Sequence, residues 1–386
     1  MEIFDVAILG SGASGCIAAI KILERYKNIA IIDASNKIAK KILSTGNGRC
    51  NLTNKNMSSN FFNQNIDSFS KRFNQNDTLN FFSSLGLVCY HDEEGRVYPL
   101  SNSAKSVVDV LNNKIISTGA KCFLEQKIEK ITKENDIFAI KTTENLIKAK
   151  KVVFALGGNS ADEILKNFNI SCKKFVPSLV SLKINSSKFL NNLRVSNVKV
   201  SAFDNQNNSM VENGEILFKD GGISGICIFN LSTLFARQNK FEGKINIDLL
   251  PNYSLNELKN LLVSRKTLNV SINKFFDGLF VSPLAYEILN RCKLDENRNS
   301  KTLTNEEISA FANTIKNLNF TVKGHFDNNQ VFSGGINLKD LTENLEHKKV
   351  KNLYFCGEVC DVDGICGGYN LQWAWTSGFI VGENIW

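Results

Sequence analysis

Three glycines near the start of the chain have the spacing to hold a phosphate. Gly10, Gly12 and Gly15 form Gly-x-Gly-x-x-Gly inside "ILGSGASGCIAAI", directly after the apolar run 3–9. Each would have its own duty. Gly10 permits a sharp turn, Gly12 lets the backbone approach a pyrophosphate, and Gly15 lets helix and strand pack closely. Exposed N–H groups at the helix start would face the anion. The pattern alone also fits a plain structural turn. Asp33, 18 residues after Gly15, favours the dinucleotide, because its carboxylate would accept hydrogen bonds from an adenosine ribose.

Two further segments carry chemistry. Residues 37–54, "KIAKKILSTGNGRCNLTN", are basic, then glycine-rich, then Asn/Thr-rich. Gly46 and Gly48 bracket Asn47 and precede Arg49, which suits a second backbone contact along a long anionic cofactor. Arg49 would pair with phosphate or with a substrate carboxylate, or form a structural salt bridge on its loop. At the far end, "LYFCGEVCDVDGICGGYNLQWAWTSG" runs an apolar strand into Gly357-Glu358, then Asp361 and Asp363. Gly367-Gly368-Tyr369-Asn370 then opens an apolar helix. The acids suit ribityl hydroxyls, and a helix N-terminus suits the negative charge of a reduced flavin near N1 and O2.

The elements that must position these residues follow from hydrophobic pattern. The reading is strand 3–9, glycine turn, helix 14–26 and a second strand ending at Asp33. Residues 56–88 read as helical and Phe-rich, and a helix after Pro99 is capped near Ser101 or Ser103. Residues 121–156 read as a run of antiparallel strands with breaks at 133–136 and 144–145. They feed the apolar strand 152–156, which meets Gly157-Gly158 at a second strand–glycine junction. From Pro177 the pattern turns to β alternation, with turns at 205–208 and 212–214. Residues 250–318 read as helical, and "FTVKGHF" as a return strand. The organisation is a nucleotide domain (1–176 and 334–386) interrupted by a β domain (177–249 and 319–333), itself interrupted by a helical subdomain (250–318).

Composition bounds the class. The chain has 386 residues, 43% hydrophobic and 22% charged, with a net charge of +8 carried by scattered lysines rather than a basic stripe. Nucleic acid is therefore not an expected partner. No apolar run reaches the ~18 residues of a membrane span, and the first residues read as a strand rather than a leader. Ten scattered cysteines without C-x-x-C or a Cys/His cluster point to reduced cytoplasmic thiols and no metal site. The spacing of Cys356 and Cys360 is not that of a redox pair, since Cys356 ends a strand. His91, His325 and His347 are isolated and read as structural.

"LGSGASG", "KKILSTGNGRCNLTN", "GRVYPLSNSAKSVVDVL", "FALGG", "GEILFKDGGISG", "VFSGGINLKDL" and "GEVCDVDGICGGYNLQWAWTSG" occur in the order seen in a known family. The chain resembles the aminoacetone-oxidase-like FAD-binding enzymes, also described as NAD(P)/FAD-dependent oxidoreductases of the bile-acid-dehydrogenating type. The resemblance covers essentially the whole chain, and "GNGRCNLTN" and "DVDGICGGYN" are its most specific parts. It implies an α/β fold: a glutathione-reductase-like, two-dinucleotide-binding Rossmann domain for FAD, with an inserted β-barrel and a helical subdomain. It implies that Gly10, Ser11, Gly12, Ala13, Ser14, Gly15, Asp33 and Ala34 line the FAD. So would Lys41, Ser44, Gly46, Asn47, Gly48, Arg49, Cys50, Asn51 and Leu52, with Ala155, Gly157 and Gly158. Gly357, Glu358, Asp361, Gly367, Gly368, Tyr369, Asn370, Leu371 and Gln372 complete that lining. One departure is the stretch after Gly158, "NSADEILKNF", shorter than the family's Pro/Gly-rich one, which shortens the pocket rim.

The expected activity is FAD-dependent transfer of hydride through flavin N5, between NAD(P)H or a small organic substrate and an acceptor. With one Gly-x-Gly-x-x-Gly there is no separate nicotinamide domain, so NAD(P)H would be a transient donor. No residue stands out as acid or base; Tyr369 is the one candidate at the flavin face. The alternative is a non-catalytic FAD-binding protein, redox-sensing or RNA-associated. The oligomeric state is left open.

Overall fold

The computed structural model describes residues 2–158, 161–166, 170–295 and 297–386. The short stretch after Gly158 thus lies partly outside the described residues. Two compact units form, Met1–Val176 with Val331–Trp386, and Pro177–Gln330.

The first unit is built on a seven-stranded sheet. The strand Ile29–Ile32 and the carboxyl ends of Ile3–Leu9 and Leu146–Phe154 are rich in apolar, largely β-branched residues and buried on both faces, as a helix-covered parallel sheet requires. Ile3–Leu9 lies between the other two, parallel to both. The long strand Leu146–Phe154 then serves two partners on its other side. Its first half pairs antiparallel with Ile137–Thr142, and its last three residues pair parallel with the C-terminal strand Leu353–Phe355. Lys121–Phe123 differs from the expectation of an antiparallel run, because it pairs parallel with Ile29–Ile32. The helix Ala104–Ser117, capped by Ser103, supplies the crossover that a parallel neighbour needs. The stretch 56–88 is less helical than its pattern suggests. Helix forms at Asp67–Ser70 and Gln75–Ser84, whereas the backbone near Phe61 bonds to 363–365 instead of to its own next turn.

The helix Ala13–Ile22 and the C-terminal helix Tyr369–Asn384 cross closely on this sheet. Both are apolar nearly all round, which fits helices buried between layers. The approach depends on Gly378, where an added Cβ would fall inside contact distance of the Ser14 carbonyl.

The second unit holds a closed six-stranded antiparallel barrel, ordered Leu182–Ile184, Gly222–Ser224, Ser209–Lys219, Arg194–Asp204, Gly243–Asp248 and Leu318–His325. The turn expected at 212–214 is instead inside the strand Ser209–Lys219; Gly214 pairs with Val198 beside a bulge in the facing strand. Helices Leu255–Arg265, Ser282–Cys292 and Asn305–Lys316 share one apolar core with the barrel. Residues 331–333, expected with the barrel, belong to the first unit.

Gly378→Ala should overpack this crossing and cost ~1–3 kcal/mol, read as a lower thermal unfolding midpoint. An unchanged midpoint would mean the helices do not approach as described.

Candidate cofactor-binding site

Parallel pairing brings three distant points of the chain to one edge. Leu9 is paired with Phe154, and Phe154 with Phe355. The ladder continues one residue further, with Ala155 N–H donating to Leu9 O (2.8 Å) and Cys356 N–H to Phe154 O (3.1 Å). Gly10, Ala155 and Cys356 therefore leave the sheet side by side at its carboxyl edge, with Gly357 next in line, where open α/β sheets bind ligands.

The three N-terminal glycines separate by cause. Gly10 has φ +96°, and a Cβ there would lie 2.5 Å from Ala155 O. A Cβ on Gly15 would collide with the Gly10 carbonyl and stand 3.3 Å from Ala155 Cβ. Both are demanded by packing. Gly12 is not: its φ of −71° suits any residue, and a Cβ would meet nothing within 4 Å. The protein leaves that face open at the start of a helix whose first turn has no side-chain cap and no acid, a place suited to an anion. Ala13 borders it, half exposed.

Asp33 follows the strand Ile29–Ile32 and is held against this turn. Its Oδ2 accepts from Ser11 N (2.6 Å) and Ser11 Oγ (2.8 Å), and its Oδ1 from Ser35 N (2.7 Å). The carboxylate is half buried and keeps lone pairs for a ribose hydroxyl. Ala34 is exposed beside it. A shallow depression of about 480 Å³ adjoins, lined by Ser35, Lys40, Lys41, Leu43 and Ser44.

The segment 39–54 then runs along the site. Ala39 N–H donates to Ser11 O (2.8 Å). Lys41 Nζ and Glu358 Oε2 flank Gly157, where a Cβ would stand 3.2 Å from each. Asn51, in the amide orientation that satisfies its neighbours, donates to Thr53 O (3.0 Å) and accepts from Gly368 N (3.1 Å). The segment thus joins the first glycine turn, the second junction and the start of the C-terminal helix. Asn47, Gly48 and Arg49 are exposed along it. Cys50 and Leu52 are buried, and Leu52 O accepts from Trp375 Nε1 (2.9 Å).

Glu358 acts as a staple. Its Oε2 accepts from Gly158 N (3.1 Å) and its Oε1 from Phe332 N (2.8 Å). Gly357 N–H donates to Ser377 Oγ (2.8 Å), and the Ser14 hydroxyl donates to Cys356 O (3.3 Å).

Several expected contacts are spent inside the protein. Asp361 is buried and paired with Lys173 Nζ at 2.5 Å, and it accepts from the Asn63 and Gln64 amides. Those donors occupy the carboxylate that was expected to face ribityl hydroxyls. Gln372 accepts from Thr53 (2.6 Å) and Thr78 (3.0 Å) and donates to Thr376 (3.0 Å), so its side chain ties helix to loop rather than facing outward. Asn370 clamps the turn before its helix by exchanging two hydrogen bonds with Gly364. Leu371 packs on the core. Tyr369 is wedged against Phe61 (4.8 Å) and Phe62 (6.0 Å), and burial raises its phenol pKa, which suits packing better than proton transfer. Gly368 has φ +97°, and a Cβ there would lie 2.5 Å from Thr53 O. Gly368→Val would damage packing whatever binds nearby. Burial pushes Cys356 up to about 12 and Cys360 well above the thiol range, so neither serves as a thiolate.

Sequence reading missed Ser35, Thr53, Phe332 and Ser377. Phe332 works through its backbone N–H, which leaves no side-chain signal. Ser377 stands four residues after Trp373, to whose carbonyl it donates, and that spacing was visible.

The residues present fit an elongated dinucleotide such as FAD. Gly12 offers an open backbone cradle, Asp33 a ribose acceptor, Lys40 and Lys41 positive charge, and glycine junctions continue to Gly368.

Gly12→Val should fold normally, because backbone and space both allow it, yet lose FAD; circular dichroism and the visible flavin absorbance on reconstitution check both halves. Full flavin occupancy in the folded variant would defeat the assignment. Burial pushes the Cys50 thiol up to about 12, so at about pH 8 its thiolate fraction is on the order of one in ten thousand. Peptide mass spectrometry after iodoacetamide should find Cys50 unmodified in native protein and alkylated after unfolding.

The chain is 30% identical over 408 residues to the 3-dehydro-bile acid delta(4,6)-reductase of Clostridium scindens, covering 98% of each protein. It is 25% identical over 405 residues to the ribosomal RNA dihydrouridine synthase of Escherichia coli, covering 100% of this chain and 98% of that one. A solved flavocytochrome c3 fumarate reductase in its open conformation is similar with a TM-score of 0.47 at 13% identity, over 99% of this chain and 78% of that one. Residues 4–384 match the family described as HI0933-like protein Rossmann domain, and the chain belongs to that family of Rossmann-type flavoprotein oxidoreductases.

Proposed function

We propose that this protein is an FAD-dependent reductase that saturates a carbon–carbon double bond conjugated to a carbonyl, with NAD(P)H as transient electron donor. One observation carries the reading: three strand ends converge on an open cradle at Gly12, which the protein's own packing does not use. Two of its relatives are named a delta(4,6)-reductase and a dihydrouridine synthase, and both names describe addition of hydrogen across a double bond.

FAD, when bound, supplies the two-electron carrier. The chain supplies the rest. Gly12 and the helix start behind it would take the pyrophosphate, and Asp33 the ribose. Lys41 and Glu358 would flank the middle of the cofactor, and the Gly367–Gly368 turn would border its ring. Glu358 fixes the two backbone segments it staples, so the path is set before the ligand arrives.

A small molecule fits better than RNA as substrate. The excess positive charge is shared evenly between the two units. Lysines on the antiparallel strands are interleaved with acids, as in Lys141–Glu129, Lys133–Asp136 and Lys150–Asp5. Such a surface lacks the uncompensated cationic stripe that phosphate contacts need. All ten cysteines are free thiols, which suits a cytoplasmic setting. Among the described residues no helix is long and apolar enough to cross a membrane.

The test is anaerobic. Reconstituted protein should bleach on addition of NADH or NADPH, and a conjugated enone such as a 3-oxo-Δ4 steroid should restore the oxidised spectrum with formation of the saturated ketone. A flavin that stays oxidised with both donors, or reoxidises with no enone consumed, would sink the reading. Salt-sensitive RNA binding with turnover on RNA alone would favour the nucleic-acid substrate.

A further inference from the structure

The loop 45–50 adopts a costly conformation that buries Cys50 and turns Arg49 outward. Asn47 and Cys50 stand in the left-handed region at φ 56° and 59°, and Gly46 and Gly48 lie there as well. Side chains avoid that region, and such strain persists where the surroundings enforce it. Here Cys50 N–H donates to Thr45 O (3.0 Å), Arg49 N–H to Gly46 O (3.2 Å), and the Cys50 side chain is buried.

What the loop delivers outward is Arg49. It is exposed, and its guanidinium carbon lies 4.5 Å from the ring centre of Tyr98, a buried residue of the strand Arg96–Pro99. A guanidinium held on an aromatic face keeps its N–H edge free. Among the described residues none accepts a hydrogen bond from that edge, and no carboxylate lies within ion-pair distance of it. The group is a fixed, uncompensated cation made only of donors.

Its place along the site matters. The phosphate end is marked by Gly12 and Ser11, which is bonded to Ala39. Two residues beyond Arg49, Asn51 is bonded to Gly368, at the start of the C-terminal helix. Arg49 thus belongs to the end away from the pyrophosphate, where a cation has no phosphate to neutralise.

The geometry points to Arg49 as the residue that takes a negatively charged oxygen of the substrate, either a carboxylate or the enolate oxygen formed as the double bond is reduced; this rests on the reductase reading above. FAD, when bound and reduced by NAD(P)H, would supply the hydride for the β-carbon, and the electron pair of the double bond would then move to the carbonyl oxygen. Arg49 donates to that oxygen until a solvent proton reaches the α-carbon and the carbonyl re-forms.

FAD-loaded wild type, Arg49→Lys and Arg49→Met, all full-length, would be titrated with benzoate and with 4-cyanophenolate, following the flavin spectrum and equilibrium dialysis. Arg49→Met should weaken one or both probes by roughly tenfold or more, and Arg49→Lys by less. FAD stoichiometry should stay at the wild-type value. Weakening of benzoate alone assigns a carboxylate; weakening of the phenolate assigns the enolate oxygen. Equal affinities in wild type and Arg49→Met, or no binding of either probe to wild type, would overturn the proposal. So would lost FAD in Arg49→Met, which would give Arg49 to the cofactor instead. Probe binding that depends on Arg49 in a protein that reduces no enone would leave this site standing and remove the reductase reading.

Discussion

The first unit depends on one register. Leu9, Phe154 and Phe355 lie side by side in parallel strands, fully buried. A slip of one residue in any of the three would turn its core side chains to the wrong face and also separate the glycine junctions that follow. The same pairing that buries the centre of the sheet therefore aligns Gly10, Ala155 and Cys356, with Gly357 next in line. Stability and site geometry share a single cause.

The second requirement is closeness between helices. Gly15 and Gly378 remove the side chains that would hold the first and last helices away from strand and from each other. Ser14 and Ser377 then satisfy backbone groups at Cys356 and Gly357. Small residues at a buried crossing allow polar contacts that larger ones would block, so the turn at Gly357 is held from two helices.

Much of this was legible from residue order. A glycine triplet after an apolar strand, an acid 18 residues later and a second and third strand–glycine junction define the frame. The parts that escaped notice are of two kinds. Contacts made by backbone atoms, such as Phe332 N–H on Glu358, leave no mark in residue type. Polar residues near the site, such as Asp361 and Gln372, look available in a linear text, and only three-dimensional packing reveals that Lys173 and a threonine cluster already engage them. Strand direction at Lys121–Phe123 was hidden for a related reason: alternation reports which face is buried, not which way a neighbour runs.

The strand Leu353–Phe355 and the helix after it also govern when the protein can mature. Leu52 and Thr53 obtain their partners from residues beyond 350, hundreds of positions away along the chain. During synthesis the early strands must wait, with the last three residues of Leu146–Phe154 bare on one flank, while the whole barrel unit emerges and folds. Such high-separation closure is slow and leaves an open sheet edge exposed to wrong partners. Nascent chains stalled before the last few dozen residues are thus candidates for chaperone capture rather than for partial activity.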